Sequence, residues 1–157
     1  MMFAPLLVSS LIAIITVAIH MTGLVVLMAV MRARSPHIRP HISATRQAAF
    51  IMLVVLGLFV IHSVEIWSYA ALYLILGAFE TLEEALYFST STFTTLGYGD
   101  VVIEGRWRLV AAIEGFNGFL LIGWSTAFLV SVIARLRSLE FDWLDGLRDE
   151  DGDDRNS

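Results

Sequence analysis

The chain has 157 residues, 57% hydrophobic and 16% charged, with a mean hydropathy of +0.76, far above the roughly 45–50% apolar usage of a soluble domain. That composition belongs in a bilayer, and the lack of cysteine excludes both a disulfide framework and a thiolate metal site. All ten basic residues are arginine, and eight of the fifteen acids lie from Glu140 onward, so the net charge of −5 mostly reports the tail.

The first apolar stretch, residues 5–31, exceeds the about 20 helical residues that cross a hydrocarbon core and is expected to be a transmembrane helix. A cleaved signal peptide would want a basic leading region and an apolar core of only about 7–15 residues. The next segment, RARSPHIRPHISATR, carries Arg32, Arg34, Arg39 and Arg46, two helix-breaking prolines, and His37 and His41. Its charge places it on the cytoplasmic side and the N-terminus outside; it can also touch anionic lipid headgroups. A second stretch, residues 47–79, is longer than one crossing requires, so it tilts or extends into the cytoplasm. A third, residues 107–136, has Trp107 at the outer interface and Arg135 and Arg137 at its inner end.

Both ends of the 80–106 connection must therefore be outside. Within it, TLEEALYFSTSTF reads as a short helix: Thr81 with Glu84 forms a capping box, and acids occupy the first turn. Leu86, Tyr87, Phe88 and Phe93 are too apolar for water, so this helix is expected to re-enter the membrane and return through TTLGYGD, residues 94–100. Irregular backbone at membrane depth is tolerated only where it is buried in protein or lines a watery path. Aiming several backbone oxygens at one axis demands conformations that glycine adopts without penalty, which accounts for Gly97 and Gly99.

Helix, re-entrant helix, TTLGYG and helix resemble the pore domain of the potassium channel superfamily, specifically the small bacterial channels with two helices and a pore loop. The likeness covers residues 55–136, with one additional helix in front. It implies an all-α membrane protein assembled as a homotetramer, with three transmembrane helices, a pore helix and a filter loop. It also implies a passive, non-enzymatic conduit in a bacterial inner membrane, taking potassium as the permeant ion and needing no organic cofactor and no nucleic acid. The expected partners are further copies of the chain and membrane lipid. Carried over residue by residue, ion-coordinating carbonyls fall at Thr95, Leu96, Gly97 and Tyr98, with the Thr95 hydroxyl at the inner end and Gly99 completing the turn. Ser91, Thr94 and Asp100 would support the loop. A poorly selective cation channel, or a non-conducting subunit that kept a pore fold, are the alternatives.

Two departures stand out. Leu96 replaces the family's usual valine, with its side chain expected to pack behind the loop, and Ser91 stands where some relatives have a glutamate paired with the acid after the filter. In the third span, Gly118 aligns with the family's hinge, close packing being the other reading, while Gly123 is expected to be a packing glycine. Phe119, Ile122, Thr126 and Val130 recur at helical spacing on one face, which the resemblance makes the inner cavity wall.

Five polar residues fall inside apolar spans: His20, His62, Glu65, Glu114 and Asn117. Counting 1.5 Å per residue sets His20 and His62 at roughly equal depth, about 20 Å from the outer side, with Glu65 one turn from His62. A buried link of His62, Glu65 and His20 is expected, either as a static clamp or as a switch through histidine protonation. Glu114 and Asn117 should face the second span or the re-entrant helix. HSVE, residues 62–65, lacks the H-E-x-x-H spacing of a zinc protease. The chain thus divides into an N-terminal helix and basic loop (1–46), a pore domain (47–137) and an acidic tail (138–157) expected to lose order past about Gly146.

Overall fold

A computed structural model describes residues 3–34 and 44–153. Four helices follow one another: α1 (Phe3–Arg34), α2 (Ala44–Ile75), α3 (Leu82–Phe93) and α4 (Arg108–Asp153), with a short 3-10 turn at Gly105–Trp107 leading into α4. Three of them are long and apolar enough to cross a membrane, over Phe3–Ala33, Thr45–Ile75 and Gly105–Leu136. In the basic segment, Pro36, His37, Arg39, Pro40 and His41 lie outside the described residues.

Two expectations are corrected. The second span ends at Ile75 rather than Phe79, because Gly77 takes a left-handed φ of 65°. There the Ala78 N–H bonds the Tyr73 carbonyl at 2.9 Å and the Gly77 N–H bonds the Leu74 carbonyl at 3.0 Å, the paired closure of a Schellman cap. The acidic tail does not lose helical order at Gly146, since α4 continues to Asp153. Its last turns contain no proline, and a lone glycine costs about 1 kcal/mol, which an existing helix tolerates because elongation is easier than nucleation.

α1 packs antiparallel on α2 and also rests on α4, while α3 nests between α2 and α4. α1 and α2 approach closely through two notches, with Ile61 seated over Gly23 and Leu27 over Gly57. The apolar interior has two layers. One gathers Ile12, Tyr69, Tyr73, Phe88, Phe93, Val110 and Leu121 around α3. The other joins Leu24, Leu27, Val54, Leu58, Ile61 and Val132. Along each long helix, the buried polar residues His20, Glu65 and Ser125 fall between these layers.

Candidate functional site

α3 positions the 94–100 loop. Its start is capped as the sequence suggests, with Thr81 Oγ1 accepting the Glu84 N–H at 3.2 Å, and its C-terminal end anchors the loop. The Leu96 and Gly97 N–H groups both donate to the Ser91 carbonyl, at 2.9 and 3.1 Å, and the Tyr98 N–H donates to Ser91 Oγ at 3.4 Å. Three successive N–H groups therefore converge on one residue. In a planar trans peptide the preceding carbonyl points the opposite way, so the oxygens of Thr95, Leu96 and Gly97 all face away from α3, on one common side.

The dihedral angles account for this arrangement. Thr95, Gly97 and Gly99 have φ of 59°, 57° and 79°, whereas Leu96 and Tyr98 between them are not in the left-handed region. Thr95 is the position the sequence did not disclose, because a β-branched residue at positive φ is an outlier. Its backbone is held there by the Thr95 N–H to Thr92 carbonyl bond of 3.0 Å. The Thr94 hydroxyl is spent on the Thr90 carbonyl at 2.7 Å. All seven loop residues are exposed in the single chain. Leu96 is 57% exposed in the single chain, because the N–H side of the loop, not this side chain, is what faces α3.

Ser91 does not reach the acid after the loop. Asp100 is held instead by Tyr87, one turn earlier on α3, whose hydroxyl donates to Asp100 Oδ2 at 2.6 Å, while Asp100 Oδ1 accepts the Val101 N–H at 3.0 Å. The Tyr87 hydrogen bond holds the Asp100 carboxyl below its ordinary 3.8, and the same bond raises the Tyr87 phenol above 10.0. Tyr87 was legible only as an apolar residue of the short helix; its four-residue spacing from Ser91, which puts both on one face, was the available signal.

On α4, Gly118 is a packing glycine. A Cβ there would lie 2.1 Å from the Phe93 carbonyl oxygen, so α4 crosses the end of α3 at backbone contact. Gly123 reverses its expectation, since a Cβ at that position would meet nothing within 4 Å, because α3 has ended before α4 reaches that level. Phe119, Thr126 and Val130 are exposed and Ile122 is partly buried against the core around α3.

The five polar residues of the spans, four buried and His62 partly so, do not form one cluster. Among the described residues, their hydrogen bonds make three sets. His20 Nδ1 and His62 Nδ1 lie 2.9 and 2.7 Å from the two oxygens of Glu65, and His62 Nε2 lies 2.9 Å from Ser125 Oγ on α4. Glu114 accepts from the Tyr73 hydroxyl of α2 and, at 2.5 Å, from the Ser89 hydroxyl of α3. Asn117 Nδ2 donates to Thr16 of α1 at 2.8 Å and to the Tyr69 hydroxyl of α2 at 3.2 Å. Thr16, Ser89 and Ser125 escaped the sequence reading because a short hydroxyl in an apolar helix commonly bonds its own backbone, as Ser9 does to Pro5 at 2.6 Å, and Tyr69 and Tyr73 because their rings read as apolar bulk.

Comparison with curated proteins found no match, and comparison with solved structures found none. A family model described as an ion channel matches residues 48–135, more than half of the chain, from the first turns of α2 through the 94–100 loop to the apolar part of α4, so the chain belongs to this two-transmembrane, potassium-channel-like family of ion channels, with one further apolar helix in front.

Proposed function

We propose that four copies of this chain surround a central axis and form a potassium-selective pore. The observation that carries the reading is the common direction of the Thr95, Leu96 and Gly97 carbonyls, set by three N–H groups bonded to Ser91. Rings of such oxygens replace the hydration shell of a potassium ion, and one exposed loop supplies only one wall of a ring. Closed cyclic symmetry supplies the others. Tyr98 adds the outermost carbonyl, the Thr95 hydroxyl closes the inner end, and Gly99 lets the chain turn away. α3 serves as the re-entrant pore helix, with Ser91, Thr94, Tyr87 and Asp100 as the loop's support.

In this reading Phe119, Ile122, Thr126 and Val130 line the inner cavity, and a mainly apolar wall closes by dewetting. The N-terminus is outside and the α4 end is cytoplasmic. Purified protein in liposomes is expected to pass potassium in strong preference to sodium, and to run as a tetramer by native mass measurement. Equal flux of the two ions would favour a poorly selective cation pore, and absence of flux from an intact tetramer a non-conducting subunit.

A further inference from the structure

We propose that His20, His62 and Glu65 form an intramembrane site for a divalent transition-metal ion, with zinc as the ion that the donor set fits best. Two imidazoles and one carboxylate, contributed by α1 and α2, bring their ligand atoms within 4.8 Å of one another. The two Nδ1 atoms face opposite oxygens of the same carboxylate at 2.9 and 2.7 Å. Imidazole with carboxylate suits zinc and its first-row neighbours, and three protein ligands leave a fourth zinc position for water. The hard ions potassium, magnesium and calcium want a shell of oxygens, so this is not a second site for the permeant ion.

Three further features favour an ion between these groups. Glu65 is fully buried, and its hydrogen-bond partners are the two imidazoles rather than an arginine. A charged carboxylate out of water is costly unless it is paired or bound to a metal, and a divalent cation meets that need directly. His62 Nε2 sits 2.9 Å from Ser125 Oγ, and an Nε2–H donating to that hydroxyl leaves the Nδ1 lone pair aimed at the carboxylate. Two facing lone pairs repel, so in that tautomer the contact needs a shared proton or a metal ion between them, and an outward N–H bond of this kind is the usual support of a ligating histidine. The ring of His20 is fully buried with Nε2 unpartnered, so no described group fixes that ring as a proton donor toward Glu65.

The surroundings suit a closed site. The Gly23 notch holds α1 close to α2 one turn from His20, and apolar rings flank both ligands, Trp124 at 5.8 Å from His20 and Phe93 at 5.9 Å from His62. His62, 19% exposed, is the ligand open to an entering ion. Bound there, the ion fastens α1 to α2 and, through Ser125, to α4.

The test uses the full chain purified in detergent, stripped with a chelator, then titrated with cobalt(II) and zinc. The expected result is one ion per chain, a visible cobalt spectrum of low-coordinate type, and its loss when zinc is added. Glu65→Gln and His62→Gln remove ligands themselves, so each should weaken binding by more than the about 10–100-fold that loss of a ligand's supporting partner costs. The His37→Gln/His41→Gln double variant, which removes the only other histidines, should bind as the parent does. Because a buried substitution can prevent folding, the unaltered protein decides: zinc, and not magnesium, should raise its unfolding temperature. No retained zinc at micromolar concentration, or binding that disappears only in the His37/His41 variant, overturns the site. None of these readouts depends on conduction.

Discussion

Two glycines on α4, Gly118 and Gly123, have opposite roles that residue type alone does not separate. Gly118 lies against the Phe93 carbonyl, so Gly118→Ala forces backbone to move and is expected to lower stability by about 1–3 kcal/mol, the usual cost of overpacking. Gly123 faces open space in the subunit, so Gly123→Ala is expected to raise stability by up to about 1 kcal/mol through helix propensity. Denaturant unfolding in detergent compares the two; equal effects would contradict the packing described. Asp100 gives a second test. Its carboxyl is depressed and the Tyr87 phenol raised in the folded chain, so the link contributes fully between about pH 3.8 and about pH 10 and is lost as acid carries the pH down through the lower folded Asp100 value or alkali carries it up through the raised Tyr87 value. In Tyr87→Phe the Asp100 carboxyl should titrate closer to 3.8, as read by carbon NMR of labelled aspartate. An unchanged titration would remove Tyr87 as the cause.

At the scale of elements, Glu114 and Asn117 divide the work of holding α4. Glu114 ties it to α2 and α3, and Asn117 ties it to α1 and α2. Ser89→Ala leaves one oxygen of a fully buried carboxylate without its donor, a loss of about 1–3 kcal/mol. Since opening is local before it is global, amide exchange should quicken in α3 and leave α1 unchanged. Asn117→Ala should do the reverse, loosening α1 against α4 with little effect on α3. Matched changes in both helices for either variant would show that the two sets act as one.

For the whole molecule, the orientation proposed from the arginine clusters can be tested by labelling, because the chain has no native cysteine. Cysteines introduced for the exposed residues Phe3 and Glu104 should react with an impermeant reagent in intact cells. A cysteine for the exposed Ala33, next to the arginine-rich segment, should react only after the membrane is opened. Reaction of the Ala33→Cys protein in intact cells would invert the topology.

The sequence by itself determined the solvent, the three crossings, the capped short helix and the glycine-bearing loop, because each depends on length, local hydropathy or near-neighbour chemistry. It also set His20 level with His62, since a fixed rise per residue converts position into depth. Only the tertiary structure decided the rest. Helical phase does not say which neighbour a face meets, so the sequence could not separate packing from bending at Gly118; it showed the Ser91 hydroxyl to be too short to hold Asp100, but did not point to Tyr87 as the residue that does. It left the left-handed backbone of Thr95 unmarked, because that φ comes from hydrogen bonds to the end of α3 and not from the residue's own preference. The three polar sets were hidden for the same reason. A serine or tyrosine inside an apolar helix becomes a partner only when another helix brings a buried carboxylate or amide within reach, and that distance is a property of packing.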